Sequence, residues 1–175
     1  MTDEIYDVVD KEGNKIGTAT WTEVHTKGLL HQTAAVLIFK DDSKNKVLIQ
    51  KRSASMKQHP NLWHNSAGGH ILAGQTPDEA IRQEIQEEIF FNHNLPDLEI
   101  KNICSFYTND APMNNEILHL YEAIHPGPFF YDKKEVAEEP RWIKVDDLIR
   151  DISSNPEKYT PNFRRIMKEY FELQK

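Results

Sequence analysis

A loop that leads into a strongly signalled helix, Gly68–Glu88, constrains the fold of this chain more than any other segment. Thr76 is a suitable N-cap, and Pro77 fits the first helical position. Glu79 stands three residues after Thr76 and completes a Thr-x-x-Glu capping box. The segment therefore predicts a glycine-rich loop whose end meets the start of a helix.

Three glutamates on this helix predict a metal site. Glu84, Glu87 and Glu88 are spaced by three and four residues, so their carboxylates share one helix face. Like charges at these spacings weaken an isolated helix by a few tenths of a kcal/mol per pair, roughly. A bound Mg2+ ion would remove this repulsion, because it prefers oxygen ligands and keeps waters for a phosphate partner. For Glu87 and Glu88 alone, a solvated acidic face is the better interpretation.

The same segment resembles the signature of the Nudix hydrolases. In that family a glycine is followed, after fixed spacings, by a glutamate and then by the block Arg-Glu-aliphatic-x-Glu-Glu-x-Gly. Gly69 matches the first glycine, and residues 84–88 match the centre of the block. Three positions differ from the signature, which has Glu, Arg and Gly there. In this chain they are Gln75, Gln83 and Phe90, in that order. In the family the Glu and Arg mostly support the loop–helix geometry, so their joint replacement by a neutral pair is tolerable.

This resemblance implies a metal-dependent hydrolase with an α/β/α sandwich, a mixed sheet and extra amino-terminal strands. It also implies one to three Mg2+ or Mn2+ ions that neutralise phosphoryl oxygens and aim a water at phosphorus. The implied catalytic and metal-binding residues are Glu84, Glu87 and Glu88, and the backbone carbonyl of Gly68 is implied to complete the metal site.

The order of apolar and polar segments predicts strands, one helix, more strands and two terminal helices. The run Thr33–Lys40 is almost continuously apolar, which is typical of a strand buried on both faces. Segment Trp21–Lys27 is predicted to be extended, and Gly28 ends it. Pro140 makes segment Glu135–Lys144 an edge or bulged strand. The other predicted strands are Ile5–Val9, Lys15–Ala19, Val47–Arg52, Leu98–Tyr107 and Glu116–Ile124, and the terminal helices are Asp146–Ile152 and Pro161–Gln174.

Length and composition narrow the choice of partner and compartment. A chain of 175 residues is expected to form one domain, residues 1–175, because neither repeats nor linkers interrupt it. A net charge of −7 argues against a nucleic-acid polymer or an anionic membrane as partner. The resemblance implies a small-molecule diphosphate, which would need a local cation to be attracted to so acidic a chain, in agreement with a metal enzyme. The single Cys104 and the acidic amino terminus favour the cytoplasm. The sequence leaves a homodimer open.

A second resemblance covers roughly residues 4–145. The segment QKRSASMKQHPNLWHNSAGGH is similar to the subgroup related to isopentenyl-diphosphate isomerase. It implies that Arg52 and Lys57 contact substrate phosphate, because a guanidinium matches phosphate bidentately. A surface cation is the simpler interpretation for each residue taken alone.

The isomerase subgroup also implies a second set of polar residues near the substrate. His25, His31 and His70 stand where those enzymes place imidazole ligands, and His70 is the strongest candidate for substrate contact. Glu116 stands at the position of a site carboxylate, and Asn114 replaces the other acid of that subgroup. A lone histidine is more often structural or exposed.

Three functions remain open. The leading hypothesis is a Mg2+-dependent hydrolase that cleaves a nucleoside diphosphate derivative or another organic diphosphate. The second is an isopentenyl-diphosphate isomerase, although alignment of the tryptophan-to-histidine segment places Gly68 on a cysteine that those enzymes use for proton transfer. The third is a non-catalytic binding module, against which the three clustered acids argue.

Overall fold

The computed structural model describes residues 3–110, 114–134 and 136–173. An amino-terminal hairpin joins β1 (Ile5–Val9) to β2 (Lys15–Thr20), and α1 (Trp21–Lys27) follows. Within the described ranges, a larger sheet comprises β3 (His31–Phe39), β4 (Lys46–Lys51), β5 (Trp63–His64), β6 (Ala67–His70), β7 (Ile100–Asp110), β8 (Asn114–Ile124) and β9 (Arg141–Lys144). The remaining helices are α2 (Pro77–Glu88), α3 (Val145–Ser154) and α4 (Pro161–Glu172).

The larger sheet is mixed. Its strand order is β5-β4-β3-β8-β7, while β6 also pairs with β3 and β9 with β4. The β3–β8 pair is parallel, and its register sets His31 opposite Glu116. The β7–β8 pair is antiparallel and sets Thr108 opposite the same glutamate. These two registers bring residues from three strands into one row across the sheet.

Strand β3 is buried on both faces, as its apolar run predicts. Leu37 and Phe39 join one core cluster, in which they pack with Phe163 of α4. Val36 and Ile38, which alternate with them along the strand, join a second cluster with Ile85 of α2. Helices therefore cover both faces of the mixed sheet, which confirms the predicted α/β/α sandwich.

The predicted start of the acidic helix is confirmed. Glu79 N donates to Thr76 Oγ1 over 3.3 Å, and Thr76 N donates to Glu79 Oε2 over 2.8 Å, which is the reciprocal capping box. Pro77 occupies the first turn, as predicted. This box fixes where α2 begins, and so fixes which residues of the following turns face the sheet.

Two predicted elements differ from the structure. Segment Trp21–Lys27 is helical, not extended, because Thr20 and Glu23 form a second capping box and Gly28 ends the helix with φ of 62°. The predicted strand Glu135–Lys144 is shorter: Glu135 lies outside the described residues, and the strand begins at Arg141, directly after Pro140. No helix in the described part of the chain combines the length and apolar character needed to cross a membrane.

Candidate metal and phosphate site

One cleft, about 810 Å3 in volume, lies between the acidic helix, the sheet and the loop after β4. It brings together eight of the residues that the sequence singles out, although they come from four separate segments. They are Arg52, Lys57, Gly68, His70, Glu84, Glu87, Glu88 and Glu116. The cleft therefore combines carboxylates, an imidazole and cations around one space.

Glu88 is the most deeply placed acid of the helix. Its side chain is buried, and its Oε2 accepts a hydrogen bond from Gln50 Nε2 over 2.6 Å. The backbone N–H of Gly68 lies 3.4 Å from the same oxygen. Buried carboxylates need such donors, because burial without them costs several kcal/mol, about 2 to 7 for a polar group. Gln50 and Gly68 thus hold Glu88 in one orientation.

Glu87 is exposed and is oriented by a chain of amides. Leu72 N donates to Gln75 Oε1 over 3.1 Å, and Gln75 Nε2 donates to Gln83 Oε1 over 2.8 Å. Gln83 Nε2 then donates to Glu87 Oε1 over 2.8 Å. The two glutamines that replace the family's charged pair therefore form a neutral pair in direct contact, and this pair reaches a proposed metal ligand.

Two glycines allow the backbone of β6 to approach the acids. A Cβ at Gly69 would overlap the Glu84 carboxylate, so a larger residue there would displace the end of that side chain. A Cβ at Gly68 would lie 2.5 Å from the backbone oxygen of Ala34, closer than real Cβ contacts allow. Any side chain at position 68 therefore requires movement of the sheet itself.

Three histidines form a compact cluster beside the acids. One nitrogen each from His25, His31 and His70 lies within 4.8 Å of the others. Their Nε2 atoms are buried, and each lacks a hydrogen-bond partner in the described structure. His25 Nδ1 lies 2.8 Å from the Trp21 carbonyl oxygen, and His31 Nδ1 lies 2.9 Å from that of Leu29. Each Nδ1–H donates to a carbonyl, so the lone pair of each of these two rings is on Nε2.

All three imidazoles favour the neutral form. Burial lowers the pKa of His31 to about 4 and that of His70 to about 3. Burial also lowers the pKa of His25 below its usual value of 6.5. Neutral imidazole is the form that binds metal ions, so the cluster is in its ligand state at neutral pH.

Glu116 lies next to this cluster. It is 2% exposed, and its Oε1 lies 3.9 Å from His31 Nε2. That separation is too long for a hydrogen bond but fits two ligands of one ion, whose bonds of about 2.1 Å each span up to about 4.2 Å. Glu116 Oε2 accepts from Asn162 Nδ2 over 2.9 Å and from Thr33 Oγ1 over 3.4 Å.

The histidines and Glu116 therefore fit a transition-metal ion. Three buried nitrogens without partners would be costly unless something occupies them. Three imidazoles and one carboxylate form a ligand set that suits Zn2+, Mn2+ or a similar ion. The helical acids differ in character, since an all-oxygen set suits Mg2+. The protein thus contains two donor sets of different chemistry, and the cleft reaches both, because His70 and Glu116 line it together with the helical acids.

Arg52 and Lys57 also line the cleft, and they lie at the start and in the middle of the loop between β4 and β5. Arg52 Nε donates to the carbonyl oxygen of Gln58 over 3.2 Å. Lys57 Nζ lies 4.4 Å from the ring centroid of Trp21, within cation–π range. Burial first, then nearby charges that include Arg52, lowers the pKa of His70, so this cation acts on the histidine cluster.

Asn114, which stands where the isomerase subgroup has an acid, is paired with the same loop. Gln58 Nε2 donates to Asn114 Oδ1 over 3.1 Å, and Asn114 Nδ2 donates to Gln58 Oε1 over 3.2 Å. Each amide donates one hydrogen bond and accepts one in this exchange. The pair holds the loop that carries Lys57 against β8.

Two residues that hydrogen-bond to the site carboxylates are not predicted from the sequence. Gln50 belongs to the segment QKR. Because side chains alternate between the two faces along β4, its position in the strand could have indicated that it faces α2. Asn162 follows Pro161 at the start of α4 and carries no motif signal. Its contact with Glu116 depends on how the last helix packs, which the sequence pattern does not specify.

Comparison with known proteins gives the family. The family described as NUDIX domain matches residues 29–169. An isopentenyl-diphosphate Delta-isomerase of Serratia proteamaculans is 33% identical, over 95% of this chain and 91% of its own length. Nudix hydrolase 3 of Arabidopsis thaliana is 30% identical, over 92% of this chain and 22% of its own length.

A solved structure supports the same fold. A crystallised protein of Deinococcus radiodurans superposes with a TM-score of 0.78 at 19% identity, over 95% of this chain and 98% of its own. At that identity the likeness concerns the fold alone. Because the family match covers most of the chain and the capped acidic helix and glycine pair lie within it, this protein belongs to the Nudix family.

Proposed function

We propose that this chain is a Mg2+- or Mn2+-dependent hydrolase that cleaves a diphosphate linkage in a nucleoside diphosphate derivative or another small organic diphosphate. One observation carries the proposal: Glu84, Glu87 and Glu88 line the same cleft as the cations Arg52 and Lys57. A diphosphate bridges such groups, because metal ions on the acids and cations on the loop can share its oxygens.

The chain's own residues supply binding and orientation. When bound, the metal ions would neutralise the phosphoryl oxygens and activate a water. The Arg52 guanidinium can bind a phosphate through two parallel hydrogen bonds, and Lys57 can add a second positive charge. Gln50 and Gln83 orient Glu88 and Glu87, so these carboxylates need little rearrangement when the substrate binds.

An isomerase is the second candidate, and two observations favour it. Several sequence relatives carry the name isopentenyl-diphosphate isomerase, including the one of Serratia proteamaculans at 33% identity. The histidine cluster with Glu116 also stands where that subgroup has its imidazole and carboxylate ligands.

Position 68 argues against isomerisation. A proton-transfer enzyme needs an acid and a base on opposite faces of the substrate carbon chain, and glycine provides neither. Cys104, the single cysteine of the chain, lies on β7 and packs against the core cluster beneath α4. Burial raises the pKa of its thiol, which makes it a poor nucleophile.

The experiment that separates the candidates uses the full chain with Mg2+ or Mn2+. One arm follows release of phosphate or nucleotide from a panel of organic diphosphates, and the other follows formation of dimethylallyl diphosphate from isopentenyl diphosphate. We expect hydrolysis of at least one diphosphate, its loss with Glu88→Gln, and no isomerisation. Efficient isomerisation without hydrolysis would reject the hydrolase and support the second candidate.

A further inference from the structure

A row of polar contacts runs from β7 through α4 to Glu116. Thr108 Oγ1 lies 3.1 Å from Asn162 Oδ1, and Asn162 Nδ2 lies 2.9 Å from Glu116 Oε2. Thr108 and Glu116 are 7% and 2% exposed, so water has little access to these groups. None of these contacts is needed to form a helix or a strand.

The chemistry of the three side chains determines which one donates and which one accepts in each hydrogen bond. An ionised carboxylate only accepts hydrogen bonds, so the Asn162 amide must turn its Nδ2 toward Glu116. Its Oδ1 then faces Thr108, whose hydroxyl donates to it. The hydroxyl thus selects the amide orientation that supplies a donor to the carboxylate.

The same contacts determine which oxygen of Glu116 faces the histidines. Asn162 Nδ2 and Thr33 Oγ1 both donate to Oε2. Oε1 is the oxygen near the cluster, 3.9 Å from His31 Nε2. A carboxylate held by one oxygen presents the other in a fixed direction, which is how residues outside a metal site commonly orient its ligands.

We propose that Asn162 and Thr108 are positioning residues for a metal centre formed by His25, His31, His70 and Glu116. They hold Glu116 so that Oε1 completes the set of three imidazole nitrogens. This inference rests on the metal dependence of the proposed function, but it concerns binding of the ion in the absence of any diphosphate. In this role both residues act through Glu116 and not directly on the ion.

The test is a titration of the chelator-treated full chain with Co2+, whose visible absorption reports imidazole and carboxylate ligands. Excess Mg2+ is present to occupy the helical acids. Asn162→Leu keeps the size of the side chain and removes its hydrogen bonds, so we expect Co2+ affinity to fall about ten- to a hundredfold, with altered visible bands. Thr108→Val should weaken binding less, and Thr108→Ser, which keeps the hydroxyl, should match the parent.

A matched control separates positioning from general stability. Asn155 Nδ2 donates to Asp151 Oδ1 over 2.7 Å between α3 and the following turn, and neither residue lines the cleft. Asn155→Leu should leave Co2+ affinity and spectrum unchanged. Parent-like binding and spectrum in Asn162→Leu, or an equal loss in Thr108→Ser and Thr108→Val, would overturn the proposal.

Two further outcomes distinguish this proposal from the hydrolase. If the parent binds no Co2+, or if His70→Ala binds it as tightly as the parent, no histidine centre exists and the positioning roles are rejected whatever the hydrolysis assay gives. If Co2+ binding depends on His70 and Asn162 but no diphosphate is cleaved, the positioning roles stand and the proposed hydrolase fails. Thermal unfolding of each variant shows that the compared proteins are folded.

Discussion

Gln75 and Gln83 are hydrogen-bonded to each other, with 2.8 Å between Gln75 Nε2 and Gln83 Oε1. The Nε2 of Gln83 in turn donates a hydrogen bond to Glu87 Oε1. A neutral pair therefore stands where the Nudix signature has opposite charges, and it still connects the loop to the acidic face of α2.

Changing only one member of this pair should disturb the metal site. Gln75→Glu removes the donor to Gln83, so the Gln83 amide must turn its own donor toward the new carboxylate and away from Glu87. We expect weaker Mg2+ binding, by several-fold. The double variant Gln75→Glu/Gln83→Arg should bind Mg2+ like the parent, because a guanidinium has five donors and can serve both carboxylates. Isothermal titration with Mg2+ measures this, and identical curves for the single variant and the parent would contradict it.

Removing one helical carboxylate should abolish most turnover. Glu87→Gln or Glu88→Gln should lower kcat about a hundredfold if each lost ligand removes roughly 3 kcal/mol of transition-state stabilisation. Glu172→Gln, a matched change on the exposed end of α4, should leave kcat unchanged. Initial rates at saturating substrate and Mg2+ give the comparison. Full activity of either variant in excess chelator would reject the acidic metal site.

The lack of space at Gly68 predicts a stability loss. Gly68→Ala places a Cβ 2.5 Å from the Ala34 backbone oxygen, so the sheet must shift. Such overpacking costs about 1 to 3 kcal/mol, which lowers Tm by several degrees for a chain of this size, about 2 to 4 °C per kcal/mol. Gly17→Ala is the control, because no heavy atom lies within 4 Å of the added Cβ. Equal thermal midpoints for the two variants would show that β6 tolerates a side chain.

His64 should make the protein less stable in mild acid. Its Nδ1 lies 2.8 Å from Thr160 Oγ1, and burial, followed by the charges of Arg52 and His59, holds its pKa well below 6.5. The unfolded chain therefore binds a proton that the folded chain excludes. The resulting stabilisation is full above pH 6.5 and is lost as pH falls below it, by at most about 1.4 kcal/mol per pH unit.

The matching variant is His64→Gln, which carries no titrating group at this position. Urea unfolding in chelator at pH 7.5 and pH 5 should show a smaller acid-induced loss of unfolding free energy than in the parent. The remaining histidines are common to both proteins, so the difference between the two losses isolates His64. Equal losses would mean that His64 is protonated in the folded state.

Most of the central architecture could be predicted from local patterns. The nearly continuous apolar run of β3 specifies two buried faces, and the capping box at Thr76 specifies where α2 starts. The same kind of box at Thr20 and Glu23 identifies α1, but its seven residues carry two threonines and a valine, whose branching favours extended structure. A prediction from the sequence therefore misses a short helix when it gives the strand propensity of the residues more weight than the capping box.

The candidate site is less accessible to sequence reasoning, because its parts meet only through the fold. The three helical acids are recognisable by spacing alone, since one helix turn brings them together. The proximity of His25 to His70 depends on how α1 packs against β6, and that of Asn162 to Glu116 depends on α4. Neither packing leaves a periodic signature.

The parallel pairing of β3 with β8 has a consequence for how the chain reaches its folded state. Thr33 and Glu116 are 83 residues apart in sequence, so a long stretch of chain must be closed before the histidines meet their carboxylate. Closing distant segments is the slow part of folding, and a transition-metal ion can bind with full affinity only after it. Added ion should therefore slow unfolding while the refolding rate stays the same, because the proposed metal centre would stabilise the folded protein without guiding its assembly.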